Sequence, residues 1–247
     1  MYFKNVNIKT RTDLFFSKLK GKFANYFTDK IYLSFGENCL ADHILNRQGI
    51  KSFTTPFAHG RSNIEYVLQL EEDSYKDFLN LEFLAYEKLG KKEVPRLKKY
   101  NLVHNNYDES HSCGFEFTHH DIIRNDAVRE KILSRVQKLQ NMKGSRRFII
   151  LYYHKVTETS DMDMLLYDLC KLKEIYSTDK LESEVVCFYQ KIVFDHHDRS
   201  LQYCFRNNIH LFTFNTLTQW GGDNNDIFWA ICDEDLISEM IGFMKRL

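Results

Sequence analysis

"RRFIILYYH", residues 146 to 154, is a basic pair followed by an unbroken apolar and aromatic run that ends on a histidine. Without polar alternation, such a run predicts a strand buried on both faces, as strands of parallel sheets are. The preceding segment, "NDAVREKILSRVQKLQNMKG" (125 to 144), sets Val128, Ile132, Val136 and Leu139 on one face of an amphipathic helix. Beyond it the alternation continues. Ser160 and Asp163 form a capping-box-like start to a helix over "DMDMLLYDLCKLKEIY", and "SEVVCFYQ" (183 to 190) reads as a strand. "DRSLQYCFRNN" (198 to 208) reads as a helix, "IHLFTFN" (209 to 215) as a strand, and "DNNDIFWAICDEDLISEMIGFMKRL" (223 to 247) as the closing helix.

Working back from the same run, "KIYLSF" (30 to 35) is a short buried strand and "NCLADHILNRQG" (38 to 49) a helix closed by Gly49. "SNIEYVLQLEEDSYKDFLNLEFLAYEKLG" (62 to 90) reads as one long helix or two, and "GFEFTHHD" (114 to 121) as a strand leading into a loop. Strands alternating with helices of these lengths imply parallel crossover units. The expected fold is therefore α/β: a three-layer, mostly parallel sheet with helices on both faces and a helical insertion after the first strand–helix unit. In such sheets ligands bind beyond the carboxyl ends of the strands, so the loops after Phe35, Tyr153 and Phe214 should share one rim.

The chain has 247 residues, long enough to bury a full core, and its 34 basic and 34 acidic side chains cancel. No excess of Lys and Arg provides a nucleic-acid footprint, so nucleic acid is not expected as a partner. The six cysteines contain no CxxC pair, and Cys170, Cys187 and Cys232 lie in apolar periodic segments, the pattern of reduced thiols in a cytoplasmic protein. No apolar run reaches the roughly 20 residues that span a bilayer. The first 30 residues carry a local surplus of positive charge, with seven Lys or Arg against two Asp. Within them, residues 12 to 27 carry an aromatic stripe, open to two readings: peripheral contact with a membrane surface, or a helix packing on the domain. The expected organisation is this segment, 1–30, followed by a single domain, 31–247.

Chemistry concentrates after the first strand. Gly36 permits a tight turn and Asn38 is a good helix cap, which would put Cys39 at the first helical position, where the helix dipole favours a thiolate. The plain alternative is a small buried thiol that fills space. A nucleophile needs a base. His43 shares the helix face of Cys39, and the pair could instead ligate a metal, but no second pair of ligands accompanies it and no metal or cofactor is expected. His120, after the strand "GFEFT", is the better candidate, with Asp121 either orienting a histidine or capping the helix that follows. "FDHHDRS" (194 to 200) reads as a solvated loop with Asp198 as a helix cap. His154, at the end of the strongest strand, should face the rim, and Trp220 beside a Gly pair is the kind of residue that holds a sugar. GxGxxG, P-loop, GxSxG and HExxH motifs are all absent.

The series "LSFGENC", "TTPFAHG", "GFEFTHHD", a basic helix with Arg135, and "RRFIILYYH" resembles a bacterial family described as papain-like cysteine peptidases, often encoded near surface-polysaccharide genes. The resemblance spans roughly residues 31 to 155. It rests on Gly36, Asn38 and Cys39, on Pro56 and Phe57, and on His120 and Asp121. Where that family continues its Pro-Phe pair with Asp-Trp, this chain has Ala58 and His59. The resemblance thus implies that any role of that acid is absent or passes to His59 or Arg61. The strand–turn–Cys order is also similar to the nucleophile position of SGNH-type hydrolases and the GSCFA family, which act on esters.

Two functions follow as expectations. One is a Cys39-dependent hydrolase or acyltransferase acting on an amide or ester in surface-glycan assembly, with Cys39, His120 and Asp121 catalytic and Gly36, Asn38, His59, Arg61, His154 and Trp220 around a small-molecule or glycan substrate. The other is a non-hydrolytic protein that binds or transfers glycans, in which Cys39 is structural.

Overall fold

The computed structural model describes residues 30–89, 92–100, 104–107, 114–221 and 228–247. The basic amphipathic stretch 12–27 lies outside them. The molecule is mixed α/β, with a mostly parallel five-stranded sheet and a separate small antiparallel one. In the large sheet β1 (Lys30–Gly36) lies at one edge, beside β5 (Arg147–His154). Then come β6 (Glu184–Ile192), β8 (Ile209–Thr216) and, at the far edge, β7 (Ser200–Arg206). The first four strands run parallel, in register from Ile31↔Phe148 through Val186↔His210, and β7 returns antiparallel to β8.

The unbroken apolar reading of 147–154 is met: all of β5 after Arg147 is buried. Alternate residues of β1 and β5 enter two different hydrophobic clusters. Ile31, Leu33, Phe35, Phe148, Ile150 and Tyr152 join one, whose helical members come from α2 (Ile64–Glu72), α3 (Asp126–Met142) and α4 (Met162–Tyr176). Tyr32, Ile149, Leu151 and Tyr153 join the other, with α1 (Leu40–Arg47) and α5 (Glu234–Arg246). A strand whose neighbours are apolar on either side has no polar face to alternate, which explains the run.

Two expected helices are strands instead. The long helix over 62–90 ends at Glu72, where Ser74 and Tyr75 both take positive φ (56° and 62°). Residues Leu84–Leu89 then form β2, paired antiparallel with β3 (Lys92–Leu97), which in turn meets β4 (Phe115–Glu116). The insertion after the first strand–helix unit is thus part helix and part sheet. Its apolar spacing suited either period, and the left-handed pair at 74–75 decided against a continuous helix. "SLQYCFR" is likewise β7, because Asn207 and Asn208, at φ 49° and 61°, form a two-residue turn that folds it back on β8. That geometry is the type I′ hairpin asparagines favour. With no helix there, Asp198 caps none; it ends a single 3₁₀ turn, His196–Asp198, that is capped by Asp195 accepting from the His197 amide at 2.8 Å.

The helix starts are finer corrections. Asp161, not Ser160, caps α4, accepting from the amides of Asp163 and Met164 (2.9 and 3.1 Å). Asn125, rather than Asp121, caps α3 through the Val128 amide at 3.1 Å. The five described cysteines are free, but only Cys39 and Cys187 are buried; Cys232, expected in the core, is exposed. No described helix is long and apolar enough to cross a membrane.

Candidate active site

The site is built where β1 ends. Gly36 has φ +134°, and a Cβ there would stand 2.7 Å from the Tyr153 amide nitrogen and 2.8 Å from its carbonyl oxygen, so only glycine lets the two parallel strand ends pass so closely. Glu37 is then drawn inward: its amide donates to the Tyr153 carbonyl (3.2 Å), and its fully buried carboxylate holds His154 Nδ1 and the Lys155 amide (3.1 Å). His154 Nε2 meets Ser160 Oγ at 3.0 Å. Only 1 % exposed, His154 ties the ends of β1 and β5 to the start of α4 and lies beneath the rim it was expected to line.

Asn38 closes the turn, its Oδ1 accepting from the Leu40 amide at 2.9 Å. Cys39 is the capping residue of α1, one position earlier than expected, and the residue is 6 % exposed. Burial, aided by Asp42, raises the thiol above its ordinary range against a smaller opposing pull from its own amide and from Arg61. Desolvation outweighs the helix dipole here, so the resting group is a thiol. Among the described residues its sulfur has no side-chain hydrogen-bond partner, and the amides of Asn38 and Cys39 have no acceptor beyond that sulfur.

Residues 55–62 run alongside this turn. Thr55 Oγ1 donates to the Ser34 carbonyl (3.0 Å), the Ser62 amide donates to the Glu37 carbonyl (3.4 Å), and the one-turn helix Pro56–His59 lies between. Arg61 is locked to β4 by paired backbone bonds with Glu116 (3.0 and 2.9 Å). This ladder brings the loop after β4 against the 55–62 segment: the His59 ring stands edge-on to His120 at 5.5 Å and to His119 at 6.2 Å between centroids. Burial, with Arg135 and other cations nearby, lowers His59 to about 4. It lowers His120 as well, again with help from Arg135. All three imidazoles are therefore neutral at pH 7, the state a base requires.

Other expected residues lie elsewhere. Asp121 turns outward, its Oδ1 accepting from Tyr86 Oη (2.6 Å) and from the Arg124 amide (3.1 Å). His43 is exposed on α1 and faces Trp229 at 6.2 Å. Trp220 is 7 % exposed, packed among Tyr153, Phe188 and Phe214, with its indole N–H on Asp233 at 2.8 Å. Its ring is core and offers no platform for a sugar. Arg135 is the residue that motif reading underused, since its position on a helix face carries no local signal of a site. One set of metal-ligand type, Glu65, His104 and Asp168, has its ligand atoms within 4.8 Å of one another. Glu65 already accepts from the His104 amide (2.9 Å), and Asp168 accepts from Lys171 (2.9 Å).

A family model described as "Putative papain-like cysteine peptidase (DUF1796)" matches residues 30–171. That span runs from β1 into α4 and contains Cys39, the 55–62 segment, the histidine pair and Arg135. No curated protein matches the chain, and no solved structure does.

Proposed function

The chain belongs to this DUF1796 family, and from that premise we propose that it is a cysteine-dependent hydrolase or acyltransferase acting on an amide or ester, with Cys39 as nucleophile and His120 as general base. The observation that supports this reading is that the β1 turn, with a thiol at a helix start and the Asn38 amide free of any acceptor among the described residues, lies against the 55–62 segment whose His59 ring stands beside His119 and His120. In the reaction, neutral imidazole takes the thiol proton as sulfur attacks the carbonyl carbon, and the developing oxyanion accepts from the Asn38 and Cys39 amides. The imidazolium then returns the proton to the departing amine or alcohol, and water or a second acceptor releases the acyl group from sulfur. The resting thiol makes no hydrogen bond to an imidazole among the described residues, so the reaction requires the thiol and His120 to close on one another when substrate binds. The sequence resemblance points to glycan-linked esters or amides as the setting.

The test is turnover of a panel of aryl esters and anilides by wild type and Cys39→Ala. A nucleophile should take at least about a thousandfold of the rate with it, with the fold unchanged by circular dichroism. Turnover that survives the substitution would overturn the assignment.

A further inference from the structure

Among the described residues, one guanidinium near Cys39 is left without a balancing acid. Arg135, on α3, has no ion-pair partner among the described residues, and its Nη1 is buried without an acceptor. His120 Nε2 is buried without a partner in the same way. Arg135 is close enough to both His59 and His120 that its charge lowers their proton affinity. Arg61, 31 % exposed, stands 3.8 Å from Glu116 and acts on the Cys39 thiol.

The acids nearby are already engaged. Asp42 accepts from Ser34 Oγ (3.0 Å) and Lys51 Nζ (2.7 Å). Glu116 accepts from Arg96 Nη2 (2.6 Å) and Thr118 Oγ1 (2.8 Å). Buried donors left unmade are costly, and a guanidinium is built to meet an oxyanion in fork geometry.

We propose that Arg135, with Arg61, forms an oxyanion-binding subsite beside Cys39 and His120, so that the substrate carries a phosphate or carboxylate close to its reacting carbonyl. This deepens the functional reading above and rests on it for the word substrate; the anion site itself does not depend on Cys39 being a nucleophile.

Two alkylating reagents separate the ideas. Iodoacetate bears a carboxylate and iodoacetamide does not, and both report on Cys39 by site-resolved mass spectrometry. Relative to a cysteine peptide, the iodoacetate-to-iodoacetamide rate ratio at Cys39 should rise by about tenfold or more, as field-focused encounter allows. It should fall to the peptide value in Arg135→Gln and largely survive in Arg135→Lys. Inorganic phosphate and acetate should each suppress the preference, and the anion that does so at lower concentration identifies the preferred group. A peptide-like ratio unchanged by Arg135→Gln would overturn the subsite. Fast iodoacetamide labelling without preference would do so while sparing the nucleophile; slow labelling by both with the preference intact would do the reverse. If neither reagent labels, titration of the histidine ring resonances with phosphate and with acetate decides: shifts at His59 and His120 in wild type that vanish in Arg135→Gln support the subsite, and none in either protein overturns it.

Discussion

Gly36 fixes the turn that places Cys39. Its positive φ and the 2.7 Å a Cβ would leave to Tyr153 admit no other residue without moving a strand end. Gly36→Ala should therefore cost about 2–3 kcal/mol of stability, read as a lower denaturation midpoint in urea at unchanged slope; a change under about 0.5 kcal/mol would mean the turn relaxes freely. The role of this glycine was legible in the sequence, because a glycine just after a buried run and before a helix cap has few other uses. The state of Cys39 was not. Helix position argues for a thiolate, but whether desolvation outweighs the dipole depends on how deeply α1 is buried, and that is set by residues far along the chain such as Ile237 and Met240.

At the scale of elements, strands buried on both faces were legible and strands with an open face were not. β5 and β6 announce themselves as apolar runs. β7 is largely exposed and reads as a helix only if its pattern is ignored: Leu201, Tyr203 and Phe205 recur at the strand period, and the asparagine pair at 207–208 is a hairpin signal. β2 was masked by its neighbours, whose apolar spacing fits either period. The histidine pair is brought against the 55–62 segment only through the β3–β4 and Arg61–Glu116 pairings, which no local pattern encodes. Helix α3 carries Arg135 into that site, and its start depends on Asn125. Asn125→Ala should lower stability by about 1 kcal/mol with little change in the urea slope; no loss would mean that the Asp121 and Arg124 turn before it holds the helix end alone.

For the whole molecule, the family match spans the region of the proposed site, the carboxyl end of edge strand β1 and the inserted antiparallel unit. Burial of His59 in that rim, with cations beside it, has a consequence for folding. His59 ionises near its ordinary 6.5 when unfolded but near 4 when folded, so the unfolded chain binds more protons between those values. Its contribution is fully present above pH 6.5 and is lost as pH falls through about 4, a loss of roughly 3 kcal/mol at most. Stability measured against pH should drop across that window and drop less in His59→Gln; identical profiles would place the ring in solvent.

The central claim, that Cys39 acts as a nucleophile served by a neutral histidine, is tested most directly by trapping the acyl group. Wild type and His120→Ala are given an activated ester, and the Cys39 thioester is quantified by mass spectrometry across pH. A histidine base predicts a rate that rises through an apparent pKa below 6.5, levels off near neutrality, and falls by about 10²–10⁴ in the variant. A rate that climbs without levelling into the alkaline range where a raised thiol ionises, and that is the same in His120→Ala, would contradict it.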